Sequence, residues 1–262
     1  MDKEIIIEGR KIFYRVTGEG QTVFLLHGVP ADGNLWRNRF QTLPFKFIIP
    51  DLPGSGKSEI INDMSMEGMA EVIKAIIAAE GIASAAMIGH SMGGYISLAF
   101  AEKYPGYLNG LGLFHSTAYP DTEEKKGARL KGIEFMKEHG AFDFLKTTTY
   151  NLFSQQSKDK MPQLIDEFIS GLRNFQTDAL VSYYKAMMQR PDRRALLKTL
   201  EIPVLFIAGK HDNVIPVNGI LEQCHLPEIS YFHILTKSGH MGMWEEAEKT
   251  NIILNDYLIN LS

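Results

Sequence analysis

The chain is 262 residues long, 45% apolar and 22% charged, with a formal net charge of -4. Such a length is ample for one buried core with an inserted segment, and a slight acidic excess without a basic stripe excludes a general nucleic-acid footprint. A single cysteine, Cys224, excludes an intramolecular disulfide and points to a reducing compartment.

The charged start, Met1-Asp2-Lys3-Glu4-Ile5, lacks the apolar run of a signal peptide, and no segment has the length of a membrane span. A cytoplasmic protein with no membrane partner is therefore expected. Glu4 to Glu8 and Lys11 to Thr17, with a turn at Gly9, read as antiparallel strands. Thr22 to Leu26 is the next strand, followed by a helix near Leu35 to Thr42 and a strand over Lys46 to Ile49. Met66 to Glu80 has apolar residues at helical spacing and ends at Gly81. The short apolar run Ala85 to Ile88 leads into Gly89-His90-Ser91-Met92-Gly93-Gly94, and a helical segment, Tyr95 to Tyr104, follows. Leu108 to Phe114 is a further strand.

The alternation then stops. From about Thr117 to Arg194 the sequence is helical in character, with helices expected over Glu123 to Glu138, Phe142 to Leu152, Pro162 to Asn174 and Asp178 to Met188. Strands return at Pro203 to Gly209 and Tyr231 to Leu235. Strands that are mostly apolar throughout and alternate with helices imply an α/β fold with a parallel sheet covered on both faces. The expected organisation is a core domain of residues 1–116 and 195–262, with an α-helical cap, 117–194, inserted between strands above the carboxyl edge of the sheet.

Strand, tight turn and helix with a serine at the apex is the setting in which G-x-S-x-G forms a nucleophile elbow. A serine hydroxyl needs a base, and the base needs a group that orients it. Asp212 lies just past the strand ending at Gly209, and His240 follows the strand ending at Leu235. Ser91, Asp212 and His240 thus stand in the order nucleophile, acid, base, with His240 as general base and then general acid. Acyl transfer also needs donors for a developing oxyanion, and the backbone N–H groups of Val29 and Met92 are the expected pair.

His27-Gly28-Val29-Pro30, Asp51-Leu52-Pro53-Gly54-Ser55-Gly56-Lys57-Ser58, Gly89 to Gly94, Gly209 to Asp212 and Gly239-His240 together resemble the motifs of the α/β-hydrolase superfamily. The resemblance runs from about Ile6 to Leu258. It implies an α/β-hydrolase fold, a mostly parallel central sheet flanked by helices, in the serine-hydrolase branch with a helical cap. Arg190-Pro191-Asp192-Arg193 before Leu200-Glu201-Ile202-Pro203 is similar to enol-lactonase-like and small-ester hydrolases. The implied reaction is hydrolysis of a small carboxylic ester or lactone through an acyl-enzyme on Ser91, with no cofactor and no metal. Hydrolysis of a C–C bond, acyl transfer, and slow-turnover binding of a small signalling ligand are the rival readings.

Other features have plainer explanations. Asp51 to Ser58 ends in Gly-Lys-Ser, but a phosphate loop needs glycine where Asp51 stands and a helix where Glu59 to Asp63 follows. The similarity of His27-Gly28-Val29-Pro30 with Leu35-Trp36-Arg37-Asn38 to haloalkane dehalogenases and epoxide hydrolases is offset by Ser91, since those enzymes attack with aspartate. His211 beside Asp212 lacks the partners of a metal site. His27 and His90 read as structural, Asp51 as the substitute acid should Asp212 fail. Trp36, Tyr95 and His115 are the expected pocket residues, with Met136, Phe144, Phe153, Phe168, Met187 and Met188 as apolar candidates from the cap.

Overall fold

The structure is a computed structural model that describes residues 1–37, 40 and 43–261. Eight strands form one sheet in the order β1-β2-β4-β3-β5-β6-β7-β8. They are β1 (Asp2–Ile7), β2 (Arg10–Thr17), β3 (Thr22–Leu26), β4 (Lys46–Pro50), β5 (Ala85–His90), β6 (Leu108–Phe114), β7 (Val204–Gly209) and β8 (Ser230–Leu235). β1 and β2 pair antiparallel, and β2 pairs antiparallel with β4. From β4 to β8 every neighbour is parallel.

The parallel strands read as unbroken apolar runs because both faces are buried. In β3, Phe24 and Leu26 enter one core cluster while Val23 and Leu25 enter the other. β7 divides the same way, Val204, Phe206 and Ala208 against Leu205 and Ile207. This is the two-residue period of a strand with a hydrophobic layer above and below. α1 (Met66–Ala79) and α2 (Met92–Lys103) cover the first face. α1 does so through Met66, Met69, Ile73, Ile76 and Ile77, at helical spacing, and Ser65 caps it by accepting the N–H of Gly68 at 3.0 Å.

Between β6 and β7 the described residues form helices and no strand: α3 (Glu123–His139), α4 (Ala141–Thr148), α5 (Gln155–Lys160), α6 (Pro162–Gly171), α7 (Thr177–Gln189) and α8 (Arg194–Leu197). The segments Phe142 to Leu152 and Pro162 to Asn174 each end in a 3-10 turn, Thr149–Leu152 and Leu172–Asn174. α5 was absent from the sequence reading because Gln155-Gln156-Ser157-Lys158-Asp159-Lys160 carries no apolar stripe; the Ser154 cap, accepting from Ser157 N, starts it. The boundary expected between residues 194 and 195 cuts through α8. Ile133, Met136, Leu145, Leu172, Leu180 and Val181 form a small cluster of their own within the insertion. Tyr183 ties α7 to the sheet side by donating its hydroxyl to Pro53 O at 2.5 Å.

The remaining helices are α9 (Val217–Leu221), α10 (Gly242–Glu245) and α11 (Ala247–Ile259), of which α11 covers the second face with Ile253, Leu254, Tyr257 and Leu258. The expected helix from Leu35 to Thr42 is corrected in its described part to a 3-10 turn, Gly33–Trp36, whose N-cap Asp32 accepts from Asn34 N; residues 38, 39, 41 and 42 lie outside the described set. Among the described residues, no helix is long and apolar enough to cross a membrane.

Close approach of β3 to α2 makes one glycine indispensable. A Cβ on Gly93 would run into the backbone carbonyls of Leu26 and His27. Gly127, in α3, faces open space. Gly93→Ala is therefore expected to destabilise the fold by roughly 1–3 kcal/mol or more through overpacking, whereas Gly127→Ala stabilises it by about 0.5–1 kcal/mol through helix propensity. Thermal melts of the two variants measure both signs.

Candidate active site

Ser91 stands between β5 and α2 with φ 51° and ψ -116°, a left-handed backbone that a non-glycine residue seldom adopts. The strain is held by bonds on both sides: Ser91 N–H donates to Phe114 O at 2.9 Å, and Ser116 Oγ–H donates to Ser91 O at 2.8 Å. Gly89 is tied to the same turn, since a Cβ there would overlap the Gly93 backbone. The outcome is a serine at the carboxyl end of a central parallel strand, at the start of a helix.

Asp212 follows β7 and His240 follows β8, so the chain brings both to the same sheet edge. Asp212 Oδ2 accepts the Nδ1–H of His240 at 2.7 Å. The same oxygen accepts from His115 Nδ1 at 3.1 Å, and Oδ1 accepts the backbone N–H groups of Val214 and Ile215 at 2.8 and 2.9 Å. Burial alone would raise the Asp212 carboxyl, but the His240 and His115 imidazoles outweigh it and hold the group far below the usual carboxylate range. With the His240 proton on Nδ1, its Nε2 is left as an acceptor, buried and with no hydrogen-bond partner among the described residues. His240 and Ser91 line one cavity of about 290 Å³ without a direct hydrogen bond between them. In free enzymes such a bond is commonly loose and tightens only with substrate.

His115 corrects the expectation of a pocket-rim residue. It is fully buried beneath the cavity, and Gly242 N–H donates to its Nε2 at 3.2 Å, which places its proton on Nδ1, toward Asp212. Trp36 is corrected as well. Its indole is 1% exposed and packs among Phe40, Phe114 and His90 rather than along the cavity, because the short 3-10 turn delivers it into the core where a large ring gains most from burial. Tyr95 lines the cavity, as do Met187 and Val29. Phe153 and Phe168 instead pack with Trp244, and Met136 sits in the insertion's own cluster. A larger cavity of about 390 Å³, between Ala31–Leu35 and Phe168–Phe175, holds none of the three groups just described.

The N–H groups of Val29 and Met92 are paired with no acceptor among the described residues; Met92 is the first residue of α2, where such an N–H has no intrahelical partner. His27 braces the first of them. It donates from Nδ1 to Gly28 O at 2.9 Å and accepts Leu52 N–H at Nε2, joining the 27–30 turn to the 51–58 loop. Asp51 accepts Gly33 N–H and Lys57 N–H, so it shapes that loop. His90 Nε2–H donates to His240 O at 2.9 Å and links the elbow to the β8 loop.

Residues that the sequence reading passed over complete the frame. Glu245 Oε1 accepts the N–H groups of Gly239 and Met241, on either side of His240, and its Oε2 accepts Ser154 N–H. His240 N–H donates to Leu152 O at 2.6 Å. The insertion is thus bonded directly to the histidine loop. Arg129, Leu145, Thr148, Asn151 and Tyr184 add the insertion's side of the cavity. His115, Asp212 and His240 bring potential ligand atoms within 4.8 Å of one another, but both imidazole Nδ1–H groups are engaged by one carboxylate oxygen, and a metal would have to displace both protons.

Burial lowers the pKa of His90 and of His115, both fully enclosed. Each is neutral in the folded protein, while the unfolded chain takes up protons below about pH 6.5. The unfolded state then binds more protons, so stability falls as pH drops. The thermal midpoint should hold steady above that pH and decline over the first unit below it; a midpoint that rises there contradicts the assignment.

A model of the alpha/beta hydrolase fold family matches residues 21–126. Over 94% of its length the chain is 25% identical to 2-hydroxy-6-oxo-6-phenylhexa-2,4-dienoate hydrolase of Comamonas testosteroni, 91% of which is covered. It is 28% identical to 2-hydroxy-6-oxononadienedioate/2-hydroxy-6-oxononatrienedioate hydrolase of Paraburkholderia phymatum, over 95% of this chain and 91% of the relative. A malate-bound thermophilic esterase from Thermogutta terrifontis superposes with a TM-score of 0.93 at 27% identity, covering 100% of this chain and 99% of that one. Sheet order, elbow and these similarities agree in an α/β-hydrolase fold, and the chain is similar to members of that superfamily.

Proposed function

We propose that the chain is a serine hydrolase that cleaves small carboxylic esters or lactones through an acyl-enzyme on Ser91. One observation supports this above the others: the Nδ1–H···Asp212 bond leaves His240 Nε2 as a buried acceptor without a hydrogen-bond partner among the described residues, on a histidine that lines the same cavity as Ser91. In the first step Nε2 takes the Ser91 hydroxyl proton as Oγ bonds to the carbonyl carbon. The imidazolium returns that proton to the leaving alkoxide, and the C–O bond breaks. Water then repeats the sequence, giving its proton to Nε2 as it attacks, and the acid product departs with Ser91 reprotonated. The N–H groups of Val29 and Met92 would stabilise both tetrahedral oxyanions. The helices between β6 and β7 act as a cap, residues 117–194, whose bonds to the His240 loop align it with the core.

The relatives named as 2-hydroxy-6-oxo-dienoate hydrolases favour a second reading, in which the same Ser91 and His240 break a C–C bond next to a carbonyl. There the proton from His240 goes to a leaving carbon rather than to an alkoxide. A panel holding p-nitrophenyl acetate and butyrate, small lactones and a vinylogous 1,5-diketone separates the two readings by which bond is turned over. A slow-turnover receptor would leave every rate far below about 1 s⁻¹.

Ser91→Ala should lower ester turnover by about 10³-fold or more and abolish labelling by a fluorophosphonate. Turnover undiminished in that variant overturns the mechanism. Asp212→Asn should cost about 10³- to 10⁴-fold in kcat with the fold intact, since it releases the tautomer of His240; Asp51→Asn serves as the comparison, because the Asp51 carboxylate accepts the backbone N–H groups of Gly33 and Lys57 instead.

A further inference from the structure

Among the described residues lining the Ser91 cavity, Arg129 is the one with a fixed charge, and no carboxylate lines that wall. It reaches the cavity from α3, in the helical insertion. Its Nε–H donates to Asp121 Oδ2 at 2.6 Å, and Asp121 is itself 1% exposed. That carboxylate is shared. Its Oδ1 lies 2.9 Å from Arg190 Nη1, and Arg190 is 3% exposed.

The two guanidinium groups differ in what is left to them. Arg190 donates from Nη1 to Met187 O and from Nε to Tyr119 O, and its carbon centre lies 3.9 Å from the Tyr95 ring centre. Arg129 has an acceptor for Nε alone. No described residue accepts from its Nη1 or Nη2, and its carbon centre sits 5.1 Å from the Tyr184 ring, which also lines the cavity. One turn earlier on α3, Lys125 Nζ donates to the carbonyl of Val214, another lining residue. Three cations therefore face one carboxylate on this side, while the Asp212 charge opposite is already bonded by two imidazoles and two N–H groups.

A mostly buried guanidinium that lines a small cavity with two donors unused gains from an anion that meets them there. A carboxylate suits those donors best, since the two oxygens can take the paired N–H groups side by side. We propose that Arg129 is a specificity-determining residue that binds a free carboxylate of the substrate, so that the site takes monoesters of short dicarboxylic acids in preference to neutral esters. The proposal rests on the serine-hydrolase reading for where the ester bond lies. The carboxylate contact itself does not need turnover to be measured.

Binding is read first, by titration calorimetry of the Ser91→Ala protein with monomethyl glutarate and with methyl valerate, its neutral counterpart. The expected result is tighter binding of the glutarate monoester by about tenfold to hundredfold, the usual worth of one charge-assisted contact. Arg129→Gln in the same background should erase that difference, and Arg129→Lys should retain part of it by keeping the charge and the Asp121 pairing. In the Ser91 protein, the kcat/KM ratio of mono-p-nitrophenyl glutarate over p-nitrophenyl valerate should collapse towards one in Arg129→Gln, mainly through KM. Equal binding of the two ligands, or a difference that survives Arg129→Gln, overturns the proposal. An Arg129-dependent difference in a protein that hydrolyses neither ester upholds the carboxylate contact and overturns the serine-hydrolase reading instead.

Discussion

The geometry of the site depends on one carboxylate oxygen. Asp212 Oδ2 accepts from two imidazoles at once, His240 at 2.7 Å and His115 at 3.1 Å, while Oδ1 is held by two backbone N–H groups of its own loop. A carboxylate with all these partners can neither rotate nor take up a proton at ordinary pH. It therefore fixes which nitrogen of His240 is protonated, and leaves the other nitrogen bare, buried and without a hydrogen-bond partner among the described residues. Remove the carboxylate and the same ring could present an N–H to Ser91, which is useless for taking a proton.

The fold supplies this arrangement by stacking parallel strands whose carboxyl ends share an edge. β5 ends at the elbow, β7 leads to Asp212, β8 to His240 and β6 to His115. Backbone bonds between these loops then set the spacing. His90 donates to His240 O, Ser91 N–H to Phe114 O, and Glu245 bridges both flanks of His240 to Ser154 in the insertion. Because Leu152 O accepts His240 N–H, any shift of the insertion bears on His240 as well as on the cavity wall. This links substrate selection, argued for Arg129, to the alignment of the histidine proposed to transfer the proton.

Much of this was legible in the sequence, for local reasons. The strands Thr22–Leu26 and Leu108–Phe114 stand where the apolar runs put them, since buried parallel strands leave an uninterrupted signal. Ser91, Asp212 and His240 could be picked out because each follows such a run and sits among glycines or turn residues. Trp36 and His115 were misplaced because chain neighbours say nothing of which side of a loop a side chain takes. For His115, the deciding contacts are with residues about a hundred positions away, Asp212 and Gly242. Arg129 was invisible for a related reason. On a charged, weakly patterned helix, only tertiary packing shows which cation turns inward and shares its carboxylate with a second arginine.

The central claim is a protonation pattern, and nitrogen NMR of the ¹⁵N-histidine-labelled protein at about pH 8, where a free imidazole is neutral, reads it directly. The account predicts that His240, assigned by loss of its signals in His240→Gln, shows a protonated Nδ1 and a bare Nε2, with the Nδ1 proton shifted far downfield and absent in Asp212→Asn. A His240 ring that carries its proton on Nε2 in the Asp212 protein would contradict it.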